Sequence, residues 1–123
     1  MKSRRLPVIV VPMKYVSTRG EAAPASFEET LLSGMAPDGG LYLPERWPDI
    51  TADEIRTLSG KPYAEVAEAV LAPFVARSLP AHELQPLLRK TYDTGAFRHT
   101  ARAPLVQVAE NLWILELFHG PTI

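Results

Sequence analysis

The sequence predicts an α+β fold, in which a small, mainly helical N-terminal domain with short strands precedes a β-hairpin. Two capping boxes, each a Ser or Thr followed three residues later by Glu, mark helix starts at Ser26 and Thr51. Apolar side chains recur at helical spacing over residues 63–75. Two β-prone runs, 105–109 and 112–118, follow each other closely, as the strands of a hairpin do.

Length and composition are those of a globular domain. The chain has 123 residues, of which 46% are hydrophobic and 22% are charged, a balance typical of folded chains and not of disordered ones. It contains no cysteine, which excludes a disulfide framework, a cysteine-ligated metal and thiol catalysis. Its 12 prolines are scattered, so we expect them to punctuate elements and not to form a polyproline segment.

The charge distribution argues against nucleic-acid and membrane partners. Thirteen basic and 14 acidic residues give a net charge of −1, whereas nucleic-acid-binding domains are usually basic. The apolar run Leu6–Val11 is interrupted by Pro7 and followed by Pro12. It is far shorter than the roughly 18 apolar residues of a membrane span and matches a signal peptide poorly. We therefore predict a cytoplasmic protein in which residues 1–12 form an N-terminal extension.

The first strand and helix follow this extension. Residues 13–17 alternate in polarity and include a β-prone Tyr-Val pair, which favours a short strand. The helix that begins after Ser26 is predicted to end at Gly34, which stands where a left-handed C-terminal cap is favoured. The apolar face of this helix is predicted to consist of Phe27, Leu31 and Met35.

A turn and a second short strand come next. The segment Pro-Asp-Gly-Gly at 37–40 is a strong turn pattern, and residues 41–44 are predicted to form a strand that ends at proline. Three aromatic side chains interleaved with Leu and Pro are interpreted as core or domain-packing residues. They are Tyr42, Trp47 and Trp113.

Three helices are predicted after this strand. The first is short and begins at the capping box of Thr51, and the second, the strongest in the chain, follows Pro62 as a first-turn proline. Pro73 lies inside the second helix and should kink it, because proline has no N–H to donate. The third helix is indicated by the apolar spacing over residues 84–91, although Pro86 obscures its start.

The hairpin is predicted to join its two strands at Glu110-Asn111. Its second strand runs into Phe118-His119-Gly120-Pro121-Thr122. Glycine permits close approach of a ligand, threonine supplies a hydroxyl, and histidine stacks or transfers protons. This segment is therefore the best local candidate for a site.

Other chemistry-bearing residues have weaker patterns. His82, His99 and His119 are far apart in the sequence and share no ligand spacing, so no metal site is predicted. Two pairs of adjacent carboxylates, at 28–29 and 53–54, are explained by helix capping better than by acid–base chemistry.

Two loops carry groups suited to an anion. Arg19, in Thr-Arg-Gly, offers a guanidinium for bidentate phosphate or carboxylate binding, or else a surface ion pair. The glycine pair after Asp38 lacks any recognised phosphate-loop pattern, and a turn that needs positive φ explains it as well. Both alternatives stay open from the residues alone.

Taken together, these segments resemble the N-terminal part of threonine synthase. The resemblance covers about residues 13–123 in order, and its most specific part is Leu-Glu-Leu-Phe-His-Gly-Pro-Thr at 115–122. The other matching segments are 13–20, 26–44 with its Asp-Gly-Gly-Leu-Tyr, Phe97-Arg98-His99, and Ala-Pro-Leu-Val-Gln at 103–107.

The resemblance implies a pyridoxal-phosphate enzyme that converts O-phosphohomoserine and water to threonine and phosphate. It implies a threonine synthase N-terminal domain over 13–96 and, over 97–123, the start of a fold-type II α/β catalytic domain. In the family the segment after His-Gly-Pro-Thr carries the lysine that forms the Schiff base, three residues beyond Ile123. The chain alone is therefore expected to be inactive, with no catalytic residue of its own.

Site residues follow from the resemblance loosely. His119, Gly120 and Thr122 are expected to line the cofactor pocket, and the loops of Arg19 and Asp38 to face the substrate.

Two alternatives remain beside this interpretation. One is a stand-alone structural or interaction module that keeps the N-terminal fold without catalysis, and the other is a phosphate-binding module that uses Arg19. The hairpin strand 112–118 presents an apolar edge, which predicts self-association.

Overall fold

The structure is a computed structural model that describes residues 12–75, 77–92 and 95–121. The predicted α+β class is confirmed. The elements in chain order are β1 (Tyr15–Ser17), α1 (Phe27–Ser33), β2 (Tyr42–Pro44), α2 (Ala52–Thr57), α3 (Tyr63–Val75), α4 (Ala81–Tyr92), β3 (Leu105–Ala109) and β4 (Leu112–Leu115). None of the helices in the described part of the chain is long and apolar enough to cross a membrane.

The described residues group into two compact units. The first unit takes its residues from Met1–Asp49 and Ala72–Pro80, and the second from Ile50–Leu71 and Ala81–Ile123. Helix α3 therefore contributes residues to both units. The predicted domain limits, 13–96 and 97–123, stay predictions, and the predicted extension lies almost wholly outside the described residues.

The first unit is built on the antiparallel pair β1–β2, in which Val16 lies opposite Leu43. Backbone hydrogen bonds between Thr18 and Leu41 and between Lys14 and Glu45 extend this ladder at both ends. A small core lies beside it. Its buried side chains are Met13, Tyr15, Ser17, Ala25, Ala36 and Val75.

Tyr15 is the central side chain of this core. It is 8% exposed, its hydroxyl donates to the carbonyl of Phe74 (3.1 Å), and its ring lies 6.1 Å from that of Phe27. Burial raises the pKa of the Tyr15 phenol, because removal from water disfavours the phenolate. This side chain therefore ties β1 to the last turn of α3 within the unit.

Helix α1 confirms the predicted caps but not the predicted apolar face. The Ser26 hydroxyl accepts from the Glu29 amide, and the Glu29 carboxylate accepts from the Ser26 amide. Gly34, at φ +71°, donates its N–H to the carbonyl of Thr30 and ends the helix. Met35 therefore lies beyond α1, and Leu31 is 67% exposed, so the expected face is neither complete nor covered.

The second unit contains α2, most of α3, α4 and the β3–β4 hairpin. Ala64 of α3 and Leu84 and Leu88 of α4 are buried. The rings of Tyr63 and Tyr92 lie 4.8 Å apart, centroid to centroid. The capping box of Thr51 and Glu54 is present as predicted.

Pro73 and Pro86 both lie inside helices, and the kink expected at Pro73 stays a prediction. Helix α3 continues through Pro73 to Val75. Helix α4 begins at Ala81, so Pro86 stands in the middle of that helix and not near its start.

Arg102 joins the end of α4 to the segment that leads into the hairpin. Its backbone is left-handed, with φ +59°, and its guanidinium donates through Nε and Nη2 to the carbonyl of Tyr92 (3.0 and 2.7 Å). The guanidinium also lies 5.7 Å from the centroid of the Tyr63 ring. A cation at the C-terminal end of a helix interacts favourably with its unpaired carbonyl groups.

The hairpin is present, but its second strand is shorter than predicted. Val106 lies opposite Ile114, and the register shifts between Gln107 and Ala109. Strand β4 was predicted to reach residue 118 but ends at Leu115. The Glu116 amide still bonds the carbonyl of Pro104 (2.9 Å), yet proline has no N–H to continue the ladder.

The aromatic residues interpreted as core are not core in the described structure. Trp47 is 70% exposed, although its ring meets Phe74 edge-on at 6.2 Å. Trp113 is 51% exposed on β4. Tyr42 is half-buried. Packing of the two tryptophans against a further domain stays a prediction.

Candidate functional site

The structure joins the two anion-suited loops of the first unit in one hydrogen-bonded arrangement. We name this the Asp38 network, which consists of Ser17, Arg19, Glu21, Ala22, Asp38 and Gly40. The segment that follows β1 supplies donors, and the turn between α1 and β2 supplies the carboxylate. Sequence reasoning nominated both loops but did not foresee their contact.

Four donors point at the Asp38 carboxylate. Oδ1 accepts from the Ser17 hydroxyl (2.7 Å) and the Gly40 amide (2.9 Å). Oδ2 accepts from the amides of Glu21 (3.1 Å) and Ala22 (3.0 Å). Since an ionised carboxylate has about four acceptor positions, these four donors within the chain occupy the acceptor positions of Asp38.

These donors set the charge state of Asp38. The Ser17 hydroxyl, together with the backbone amides of Gly40, Glu21 and Ala22, lowers the pKa of this carboxyl below its ordinary value of 3.8, against an opposing effect of desolvation. Hydrogen bonds to the charged form favour that form. Asp38 is therefore a fixed anion that shapes the loop around it.

Arg19 lies on the outer side of this network. Its Nη1 donates to the backbone carbonyl of Asp38 (3.0 Å), and its amide donates to the Ser17 hydroxyl (3.1 Å). A Cβ at Gly39 would come within 3.1 Å of Nη1, so glycine gives the guanidinium room against the turn. The side chain is exposed, and toward the described residues its Nε and Nη2 donate no hydrogen bond.

The second unit brings two distant segments together around His119. We name this the His119 cluster, which consists of Phe97, His99, Glu116, Phe118, His119 and Gly120. The Arg98 amide donates to the His119 carbonyl (2.8 Å). His99 and His119, far apart in the sequence, have ring centroids 5.2 Å apart.

Glu116 is the residue that sequence reasoning missed. One of its carboxylate oxygens, Oε2, lies 2.6 Å from Nε2 of His119. In a regular strand, residues three apart point to opposite faces, so the pair meets only because β4 ends before Glu116. The three-residue spacing from the histidine was the only sequence clue.

Gly120 is packed against an aromatic ring. A Cβ added at this position would lie 3.1 Å from Cε1 of Phe97. The segment after His119 therefore packs closely against the Phe97 ring, which would have to shift slightly to admit a larger residue. Thr122, the third predicted cofactor residue, lies outside the described residues.

The chemistry of the two groups of residues differs. The Asp38 network holds an exposed guanidinium in a fixed loop, a setting suited to an oxyanion. The His119 cluster holds an imidazole between rings and beside a carboxylate, a setting suited to proton exchange and ring contact. Among residues 12–75, 77–92 and 95–121, no group of three or more acidic or histidine side chains is arranged to hold a metal ion.

Comparison with known proteins gives a consistent result. Residues 14–92 match the family model described as threonine synthase N terminus. The threonine synthase of Pseudomonas aeruginosa is 50% identical over 111 residues, which are 90% of this chain and 23% of that protein. The chain therefore spans about a quarter of the length of the curated relatives it matches.

Two solved structures are similar to the chain. The crystal structure of a PLP-bound threonine synthase from Brucella melitensis matches with a TM-score of 0.78 and 55% sequence identity. The match covers 89% of this chain and 23% of the Brucella chain. The crystal structure of threonine synthase from yeast matches with a TM-score of 0.73 and 34% identity. This match covers 87% of this chain and 22% of the yeast chain.

Proposed function

We propose, from the premise that the chain belongs to the threonine synthase N-terminal family, that it forms the N-terminal portion of a threonine synthase. Such an enzyme converts O-phosphohomoserine and water to threonine and phosphate with pyridoxal phosphate. The observation that carries the proposal is the match over about nine-tenths of the chain to relatives of that name. The substrate is thus a small phosphorylated amino acid, and the compartment we propose is the cytoplasm.

The His119 cluster is proposed to form one wall of the cofactor pocket. His119 and Gly120, with Thr122 beyond them, are the residues that would border the cofactor. Bound pyridoxal phosphate supplies an electron sink, and the protein supplies orientation and proton transfer. The cluster fits a bordering role, since it offers a half-buried imidazole beside a glycine that permits close approach.

The cluster does not fit a covalent role. It contains no lysine, and we propose that none of the lysines elsewhere in the 123 residues takes the place of the family's Schiff-base lysine. We therefore propose that the 123 residues alone neither bind the cofactor covalently nor catalyse the reaction. The hairpin 105–115 would then begin the fold-type II catalytic domain, against which its exposed apolar side chains pack.

Arg19 is proposed to contact the phosphate of the substrate. With Nη1 held by the Asp38 carbonyl, the remaining N–H groups form a planar fork suited to phosphate oxygens. Asp38 contributes indirectly, because its carboxylate already accepts four hydrogen bonds within the chain. Its role at the substrate is to fix the loop that carries Arg19.

Phosphate release from O-phosphohomoserine tests the proposal. A protein in which this chain is continued by a catalytic domain is expected to release phosphate with pyridoxal phosphate present, and the 123-residue chain alone is not. An Arg19→Ala variant of the longer protein is expected to raise the KM for O-phosphohomoserine about tenfold, because the substrate phosphate loses one charged hydrogen-bonding partner. Arg56→Ala, an exposed arginine of α2 that pairs with Asp53, is the matched control.

Two outcomes would overturn parts of the proposal. A specific lysine adduct trapped by borohydride on the chain alone would refute the proposal that these residues do not bind the cofactor covalently. No phosphate release by the longer protein would refute the enzyme assignment and favour the interaction module, whose signature is self-association through the exposed hairpin.

A further inference from the structure

We propose that Glu116 is a positioning residue, which fixes a proton on Nε2 of His119 and leaves Nδ1 as the ring nitrogen that meets a ligand. The ligand group would be one that carries an N–H or O–H, such as an amine or a hydroxyl. The identity of that ligand rests on the proposed function, whereas the pairing of Glu116 with His119 does not.

The contact has the geometry of a strong hydrogen bond. Oε2 of Glu116 and Nε2 of His119 are 2.6 Å apart, and their side chains are 26% and 16% exposed. Hydrogen bonds to an ionised partner are shorter and stronger than those between neutral groups. Partial exclusion of water strengthens the contact further.

Proton placement follows from the chemistry of the two groups. An ionised carboxylate only accepts hydrogen bonds, so Nε2 of His119 carries the proton that joins them. In a neutral imidazole the other nitrogen then has a free lone pair. Nδ1 of His119 is therefore the ring nitrogen that accepts a hydrogen bond from a ligand N–H or O–H.

The imidazole ring is also held on other sides. Its centroid lies 4.7 Å from that of Phe118 and 5.2 Å from that of His99. The backbone of the same residue is fixed by the bond from the Arg98 amide to its carbonyl (2.8 Å). Since the ring and the backbone are both restrained, the contact with Glu116 selects the tautomer of His119 that carries its proton on Nε2 and leaves Nδ1 unprotonated.

His82 supplies an internal comparison. Its Nε2 lies 3.5 Å from Oε1 of Glu83, but its side chain is 78% exposed. The same two chemical groups are thus present without the short distance or the burial. An effect on the ring protons that required only a nearby carboxylate would appear at both His82 and His119, whereas an effect of the short, partly buried contact would appear at His119 alone.

NMR on the full 123-residue chain with labelled histidine tests the proposal. The measured quantity is the rate at which the histidine ring N–H protons exchange with water. We expect a ring N–H signal of His119 that is assigned to Nε2 and exchanges at least about tenfold more slowly than that of His82, as a short charged hydrogen bond predicts. Glu116→Gln should raise the exchange rate about tenfold, the change expected when a charged acceptor becomes neutral. The exposed hairpin variant Glu110→Gln is the matched control and should leave the rate unchanged.

The structural state of the variant is checked in the same spectra. An unchanged Arg98 amide signal shows that the His119 segment keeps its backbone bond, so a faster exchange then reports the lost carboxylate. A His119 exchange rate that is unaltered by Glu116→Gln, or a ring proton assigned to Nδ1, would overturn the proposal.

Activity of the longer protein separates this inference from the function. Glu116→Gln should lower kcat for phosphate release about tenfold relative to Glu110→Gln, in proportion to the loss of a charged hydrogen bond. Equal kcat values in an active protein would overturn the link to the ligand. An inactive wild-type protein with the expected proton exchange would overturn the proposed function and leave the positioning of His119 established.

Discussion

The two small sheets of the chain are held in different ways. Strands β1 and β2 have three residues each, yet Tyr15 and Ser17 are buried and the Asp38 network joins the loops that flank the pair. Strands β3 and β4 are longer, but every one of their residues is exposed. The shorter sheet is therefore the better anchored one.

This difference teaches that strand length does not decide how firmly a pair of strands is fixed. An isolated two-stranded hairpin is marginal in water, and a covered face is what makes it stable. The β1–β2 pair has such a face and a polar arrangement in which the acceptor atoms of Asp38 are satisfied. The β3–β4 pair exposes apolar side chains, which fits its proposed role as the edge of a larger domain.

The largest expected effect comes from Gly40→Ala in the anchored sheet. The added Cβ would overlap the Ser17 hydroxyl and lie 3.0 Å from Oδ1 of Asp38. Ser17 is buried and bonded on both sides, so it has no open space to yield. We expect the free energy of unfolding in urea to fall by about 3 kcal/mol, the upper range for overpacking.

Gly60→Ala is the control for this change. Gly60 has φ +74° and nothing within 4 Å of an added Cβ, so alanine meets backbone strain alone, about 1 kcal/mol. If Gly40→Ala costs no more than Gly60→Ala, close packing at the Asp38 network is not what holds the sheet.

The next effect concerns Ser17→Ala, which removes one hydroxyl from the same arrangement. The variant loses the bond to Oδ1 of Asp38 and leaves the Arg19 amide without its acceptor. A hydrogen bond to a charged group contributes about 2 kcal/mol, and urea unfolding near neutral pH is expected to show a loss of this size. An unchanged midpoint would contradict the idea that Ser17 links the two loops.

The same variant has a signature in the pH dependence of stability. The folded chain holds the Asp38 pKa below its ordinary value of 3.8, so the unfolded chain binds more protons in that range. The stabilisation is complete above the ordinary value and is lost as the pH falls through the folded-state pKa. Since Ser17 is the largest cause of the shift, Ser17→Ala should make the acid loss of stability shallower. Glu29 and Glu54, whose pKa values are lowered by their capping bonds, keep their own contribution in both proteins.

Local features were predictable and tertiary ones were not. The capping boxes of Ser26 and Thr51 and the cap at Gly34 depend on spacings of a few residues, which the sequence displays directly. The donors to Asp38 lie up to 21 residues from it, and no local pattern signals that two loops will meet.

Apolar patterns had a related limit. Leu31 and Trp113 belong to apolar patterns in the sequence, yet their side chains are exposed. An apolar pattern therefore identifies a surface that tends to be buried, but it does not identify the partner that buries it. In the same way, the sequence linked residues 97–99 to 115–122 only through family resemblance. Contact of His99 with His119 and the bond to Glu116 required the three-dimensional arrangement.

A smaller effect is expected from Gly120→Ala in the His119 cluster. The added Cβ would lie 3.1 Å from Cε1 of Phe97, but this atom is the edge of a side-chain ring that is only half-buried, so a small displacement relieves the contact. We expect a loss of about 1 kcal/mol, the lower range for overpacking, with altered chemical shifts of the Phe97 ring protons. A loss equal to that of Gly40→Ala would break the contrast between the two units.

The smallest effect on folding is expected from Ile114→Lys on the exposed hairpin. Ile114 is 49% exposed and lies opposite Val106, so the lysine ammonium reaches water and the stability of the chain should change by no more than about 0.5 kcal/mol. Self-association measured by sedimentation should instead fall, because a charge on an exposed apolar strand opposes edge pairing. Leu32→Lys, at an 82% exposed position of α1, adds the same charge outside the hairpin and controls for a general effect of charge. If Ile114→Lys lowers stability as strongly as Ser17→Ala, the hairpin side chains are already packed within this chain and the distinction between the two sheets fails.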